Sequence, residues 1–308
     1  MFRDSIALAI AVGAACACSA SGTTPVGAAK GDASVLAGDA MTADDADANP
    51  ILPCTEPPDA RPEGATCVLE ATGRVEDLSG APLDKIVMTL CGSQCYGTQS
   101  AANGSYVIAP VGAYLPTQNY AIHADGRPDY AVDYLRLTAN EPSVITTTMH
   151  LPALPPSSVL LPPDGAPGSS VTVGDLTLVI ADGTTFDLDI EDFSNGTAGR
   201  ALRVAPVPLA SAPAYAIAAN VDAIYALAPS GAVPSVKMGV VLKNGAALPA
   251  SAAVNLLVLG DDYFSTPPNV GTLAVAATAH VSADGQTIQT DPGEGIAEIT
   301  WLAVRKAN

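Results

Sequence analysis

Aromatic residues make up only 5% of this 308-residue chain and charged residues only 14%. Lysine and arginine number 13 together against 31 aspartates and glutamates, with three histidines and one tryptophan. So few cations exclude a nucleic-acid partner, because binding phosphate needs clustered Lys and Arg. The same scarcity argues against electrostatic docking on anionic lipid headgroups. A formal charge of −18 at pH 7 most simply means solubility. Long apolar blocks are missing too: the mean hydropathy of +0.30 comes from dispersed Ala, Val and Leu, and no later segment reads as a membrane span.

Catalytic grammar is equally sparse. There is no Gly-x-Ser-x-Gly elbow, no His-Glu-x-x-His helix and no Gly-rich loop ending in Gly-Lys-Ser/Thr. His123, His150 and His280 each fall in or beside an expected strand, and none has a second His or Cys at metal-ligand spacing. The chain is therefore expected to be no enzyme, with no catalytic residue, no metal and no cofactor.

What is abundant is Gly (27) and Pro (26), which suits short strands joined by many turns. At the N-terminus, Arg3 precedes an apolar run from Ile6 to Ala17. That run is shorter than the ~20 residues needed to cross a bilayer and suits the core of an export signal. Small residues at its end precede Cys16 and Cys18, and the stretch resembles a bacterial lipoprotein signal, with Gly13 or Ala15 where such signals favour leucine. The resemblance implies a lipid anchor on Cys16 or Cys18, so that the membrane is a partner through lipid. It also implies a place in the cell envelope, at the outer membrane because Asp does not follow either cysteine; the fallback is the periplasm or the exterior.

Residues 1–18 are thus read as a signal and 19–63, rich in Ala, Gly, Asp, Thr and Pro, as a disordered tether. Asp44, Asp45 and Asp47 in that tether are read as solvated acids, with no loop geometry for calcium. From residue 64 to 152 the texture becomes that of strands. Leu69, Ala71, Gly73 and Val75 alternate with Glu70, Thr72, Arg74 and Glu76, the period of a half-buried strand. Further strands are expected at KIVMTLC, AANGSYVIAP, NYAIHADG, DYLRL and SVITTTMHL, with a hairpin-type turn at Asn103-Gly104. The order Gly73-Arg74-Val75, Gly80 to Leu83, Ile86 to Met88 and Ala102 to Ile108 resembles carboxypeptidase-regulatory-like domains, which are transthyretin-like sandwiches. The resemblance implies a stalk or accessory module without catalytic residues.

A Pro-rich linker is expected over 153–168, and strands resume over 169–308. They include SVTVGDLTLVI, TTFDLDIED, RALRVAPV, AYAIAAN and AIYALAP. Tyr225 to Gly231 followed by Val236 to Leu242, together with Val281 to Ile288, resembles ZU5-like domains, which implies protein interaction or structural packing. The expected fold class is all-β: two antiparallel β-sandwich domains after a signal segment and a disordered tether.

The run FDLDIEDFSNG places Asp187, Asp189 and Glu191 at positions one, three and five, as a calcium loop would. Asp192 stands where the sharp turn of such a loop needs glycine. Phe186, Leu188 and Ile190 alternate with the acids, so the run is read as the solvated face of a strand. Asp261-Asp262 is a similar, weaker candidate. Trp301 in EITWLAV reads as a core anchor, with a sugar platform as the alternative. Tyr114, Tyr120, Tyr130 and Tyr134 read as cross-strand packing residues, with sugar stacking as the alternative. A cell-surface protein or a glycan is the expected partner class.

In an oxidising compartment, Cys54, Cys67, Cys91 and Cys95 argue for two disulfides. Three pairings are open, and the local one, Cys54–Cys67 with Cys91–Cys95, is preferred.

Overall fold

The computed structural model describes residues 66–91, 95–110, 113–115, 120–136, 144–260 and 270–307. The stretches read as signal and tether, with Cys16, Cys18, Cys54 and the acids at 44, 45 and 47, and also Asp261-Asp262, lie outside the described residues.

The protein is all-β, as its composition leads one to expect. The first β unit carries β1 (Thr66–Val68), β2 (Glu70–Asp77), β3 (Val87–Cys91), β4 (Cys95–Gln99), β5 (Ser105–Ile108), β6 (Ala113–Leu115), β7 (Ala121–Asp125), β8 (Val132–Arg136) and β9 (Val144–Leu151). Its sandwich packs a three-stranded sheet, ordered β5-β2-β9, on a four-stranded sheet, ordered β4-β3-β7-β8; β1 and β6 form a separate pair. Period-two alternation works as expected. Ala71 and Val75 of β2, Met88 and Leu90 of β3, and Tyr106 and Ile108 of β5 point into one core, whereas Arg74 and Val107 face outward.

Two details differ from a plain antiparallel meander. Strand β2 pairs with β9 in parallel, from Glu70 against Val144 to Asp77 against Leu151, while every other strand pair described is antiparallel. The turn at Asn103-Gly104 joins β4 to β5, which belong to different sheets, so it is a corner and not a hairpin. Gly104 has a φ of +79° there, and a Cβ on it would lie 2.6 Å from the carbonyl oxygen of Val75. The local turn chemistry was legible, but which strands it joined was set by the packing of the two sheets.

The second β unit is built from β10 (Val159–Leu160), β11 (Ser169–Val173), β12 (Leu176–Ile180), β13 (Phe186–Asp187), β14 (Ala201–Val207), β15 (Ala223–Ala228), β16 (Val233–Pro234), β17 (Gly239–Lys243), β18 (Ala253–Leu259), β19 (Leu273–Val281), β20 (Thr287–Thr290) and β21 (Leu302–Lys306). Ten of these form one antiparallel sheet, ordered β10-β14-β15-β21-β18-β19-β20-β17-β12-β11. The sheet curls until its two ends, β10 and β11, touch, so its halves enclose a core that includes Leu178, Leu202, Met238, Leu256 and Ile299. Closure of this kind leaves little free edge.

Two short helices replace expected strands. Helix α1 (Ile190–Ser194) follows the two-residue β13, and α2 (Ala214–Ala218) occupies AYAIAAN. Pro213 sits at the N-cap of α2, and Asn220, with a φ of +51°, ends the following turn in the left-handed region. SVTVGDLTLVI is a hairpin, with Gly174 at its turn, and not one strand. The Pro-rich stretch carries β10, which pairs with β14, and Leu161 enters the core of the second unit.

A third core lies between the two β units. Ala121, Val132, Tyr134 and Leu154 of the first meet Val207, Ile224, Ala226, Leu257, Leu259 and Trp301 of the second. Strand β15 is consequently buried from Ile224 to Ala228 without a break, and β18 from Leu256 to Leu259. Strands buried on both faces lose polar alternation and read as continuous apolar runs.

Gly73, central in β2, has no room for a side chain: a Cβ would lie 1.6 Å from the Thr147 carbonyl oxygen of β9. Gly73→Ala is expected to push β2 and β9 apart and lower stability by about 3 kcal/mol. A urea titration followed by circular dichroism checks this, with Thr72→Ala as an outward-facing control of small effect.

Candidate functional site

The densest charged constellation described lies where the two β units meet, and Arg127 is at its centre. The residue sits in the turn after β7. Asp125 Oδ1 accepts the backbone N–H of Arg127 at 2.9 Å, an Asx-type turn. Gly126 between them is required by space, since a Cβ there would lie 2.5 Å from that of Tyr130. The guanidinium is 10% exposed and faces carboxylates of both units. Its Nε donates to both Asp125 oxygens at 3.0 Å, and its Nη2 donates to Asp125 Oδ2. Nη1 contacts Asp189 Oδ2 at 2.8 Å and donates to Asp192 Oδ2 at 3.0 Å. Glu191 is reached only at 3.6 Å, from Nη2.

Asp189 and Asp192 converge because Asp189 caps α1 and Asp192 lies three residues on, hence on the same helical face. Gly199 lets the next turn press on α1, where a Cβ would lie 1.7 Å from the Asp192 carbonyl oxygen. The outward face of α1 is apolar, with Ile190 61% and Phe193 72% exposed. The solvated-strand reading of FDLDIED holds for Phe186 and Asp187 and fails from Asp189 onward. Asp189 and Asp192 are buried, and Ile190 faces solvent, because a distant guanidinium attracts the acids inward. Calcium-loop geometry is not formed either: among the described residues no group of three or more His, Cys, Asp or Glu is placed to hold a metal ion.

The electrostatics follow from one cation among four acids. Burial pushes the Asp125 carboxyl up, but the hydrogen bonds and charge of Arg127 outweigh it and hold it below its ordinary value. Burial raises Asp192, and the charge of Arg127 only partly offsets this. Glu191 is pushed up to about 7, first by burial and then by its hydrogen bond with Asp189 and the charge of that neighbour. Its side chain is 54% exposed overall, but the carboxyl end is the part turned toward Asp189 and Arg127.

A second polar contact crosses the same junction. Asp133 of β8 is 4% exposed and accepts the Tyr215 hydroxyl of α2 at 2.7 Å and the Tyr134 N–H at 2.9 Å. Among the described residues no cation pairs with it. Burial pushes the Asp133 carboxyl up to about 7, and it pushes the Tyr215 hydroxyl well above the usual phenol range. Tyr215 meets Trp301 edge to face, and the Trp301 indole N–H donates to the Val132 carbonyl at 2.6 Å. Trp301 is thus the core anchor expected of it, 1% exposed, and it anchors the junction.

Beside the junction lies an open cleft of about 510 Å³. Leu78, Pro152 and Leu154 of the first unit face Val204 and Pro206 of the second across it, with Asp77 in the wall. Asp77 is engaged by its own turn: Oδ1 accepts the backbone N–H groups of Ser79 and Ala81 and the Ser79 hydroxyl.

The other candidate residues are dispersed. His123 stacks on Tyr134 with ring centroids 4.5 Å apart, and His150 faces outward on β9. His280 Nδ1 lies 2.8 Å from Asp291 Oδ1 at the surface. Tyr120 and Tyr134 are buried and Tyr130 half-buried, so these three rings form no exposed platform. Tyr114 lies in β6. Asp187 ends β13, exposed. Cys91 and Cys95 are joined in a disulfide at the β3–β4 end. Cys67 is also disulfide-bonded, with a partner that lies outside the described residues. No protein-family model matches the sequence, and no curated protein matches it.

Replacing Arg127 by alanine would leave Asp125, Asp189 and Asp192 buried without their cation. The expected loss is about 3–5 kcal/mol, whereas Arg127→Lys, which keeps the charge but not the fork, loses less. Chemical denaturation of the two variants checks the order.

Proposed function

We propose that the chain is a non-catalytic lipoprotein of the bacterial cell envelope, in which two joined β units serve a structural or binding role. The observation that carries this reading is the commitment of the polar groups best suited to chemistry. Arg127, Asp125, Asp189 and Asp192 bind one another across the junction, and Asp133 and Tyr215 do the same. Buried groups committed to each other in this way hold two bodies in register and leave little for a substrate to bind.

The proposed address rests on the lipoprotein-like N-terminus, with the anchor on Cys16 or Cys18 and residues 19–63 as the tether. The disulfide between Cys91 and Cys95 accords with an oxidising compartment. The motif resemblances complete the reading as a carboxypeptidase-regulatory-like unit followed by a ZU5-like unit. A protein partner suits it better than a glycan, because Trp301, Tyr120 and Tyr134 are buried and sugar stacking needs exposed ring faces.

Labelled palmitate fed to cells expressing the full chain should enter the membrane-fraction protein and disappear in the Cys16→Ser, Cys18→Ser double variant. Absence of label in the unaltered protein would refute the anchor. A panel of ester, peptide and glycoside substrates should show no turnover. Any turnover abolished by a single substitution would refute the non-catalytic role.

A further inference from the structure

We propose that the junction between the two β units is a proton-operated latch, tight while Glu191 and Asp133 each hold a proton and weaker once they release it. The inference is independent of where the protein resides. It rests on counting charges and donors on each side of the interface.

At Arg127 most of the donors are engaged. Nε and one Nη2 hydrogen serve Asp125, and Nη1 donates to Asp192 and lies 2.8 Å from Asp189 Oδ2 as an ion pair. What remains is one Nη2 hydrogen and Glu191 at 3.6 Å, beyond a hydrogen bond. One positive charge therefore faces four carboxylates, and Asp189 Oδ1 is a buried acceptor without a donor. A proton on Glu191 meets both needs. It removes one negative charge, and the new O–H can donate to Asp189, the acid that bears most directly on Glu191. The other titratable group near this cluster is His123, which acts on Asp125.

Asp133 presents the same problem in a more apolar place. The groups facing it are Tyr215 from α2 and Tyr134 from its own strand, with His123 stacked on Tyr134. Both hydrogen bonds it receives are neutral, and an isolated carboxylate among apolar side chains favours its protonated form.

The sign follows from proton counts. Glu191 rises from 4.5 to about 7 and Asp133 from 3.8 to about 7, so between these limits the folded state binds more protons than the unfolded one. Stability is then fully present at the acidic end of the window and is lost as pH rises toward 7. Asp125, held below 3.8, contributes in the opposite sense and is lost only below about pH 4. The junction is therefore tightest near pH 4, where Asp125 is still ionised and Glu191 and Asp133 still hold their protons.

The one tryptophan of the chain reports on this interface directly, because the indole of Trp301 bonds to the backbone of β8. Urea unfolding of the full chain would be followed by Trp emission from pH 5 to 8.5. The unfolding constant should rise with pH by up to about tenfold per unit for each proton released, levelling off above 7. Glu191→Gln, whose amide can donate to Asp189 as the protonated acid would, should remove part of the slope, and adding Asp133→Asn should flatten it. A flat profile in the unaltered protein, or an undiminished slope in the double variant, would overturn the latch. If Asp133→Asn does not fold, carbon-13 titration of the unaltered protein decides the matter. Two side-chain carboxyls with midpoints near 7, one of them missing in Glu191→Gln, uphold the proposal, and their absence refutes it.

Discussion

One guanidinium, buried between acids from two β units, constrains more of this protein than any other single group. Taking Arg127 out of water costs several kcal/mol unless its donors are met, and they are met only when α1 is pressed against the β7–β8 turn. That requirement explains otherwise odd local features together. Gly126 is needed for the turn, Gly199 for the approach of the chain to α1, and the helix points its acids inward and Ile190 and Phe193 outward. The apolar contact through Trp301, Ile224 and Leu257 supplies attraction without direction. The fixed fork of the guanidinium supplies the direction, so the two units meet in one register.

How legible this was depends on the range of the interactions involved. The strands of the first unit follow a two-residue alternation, a local property, and most were readable from KIVMTLC or SVITTTMHL alone. Strand β4 escaped notice because CYGTQ is an edge with little apolar content. The helices were missed for different reasons. AYAIAAN alternates small and large side chains as a strand does, and Pro213 ahead of it was the cue for a helix start. FDLDIED alternates too, but its fate is decided by an arginine up to 65 residues away in sequence, which no local window contains.

The junction itself left a trace that could be read only in retrospect. AIYALA and NLLVLG are too uniformly apolar for strands with one wet face, so something had to cover the other side. A covering unit was available in the same chain. The Pro-rich stretch does not hold it away, because Leu154 packs in the shared core and Leu161 in the core of the second unit. The Cys91–Cys95 bridge belongs to the legible part, since four cysteines beyond the N-terminal apolar run make an even set and these two are its closest pair in sequence.

Composition and junction turn out to be one subject. With 13 Lys and Arg against 31 Asp and Glu, most carboxylates cannot have a cationic partner. At the surface this is harmless, because water and salt screen them. At an interface it is not, and an acidic chain that buries carboxylates there must neutralise them with whatever is at hand. Arg127 serves for three acids that its donors can reach. For Glu191 and Asp133 the remaining neutraliser is the proton, whose availability changes across the same range in which these two groups titrate. An excess of acids over cations thus makes the internal joint sensitive to pH, as a consequence of charge balance.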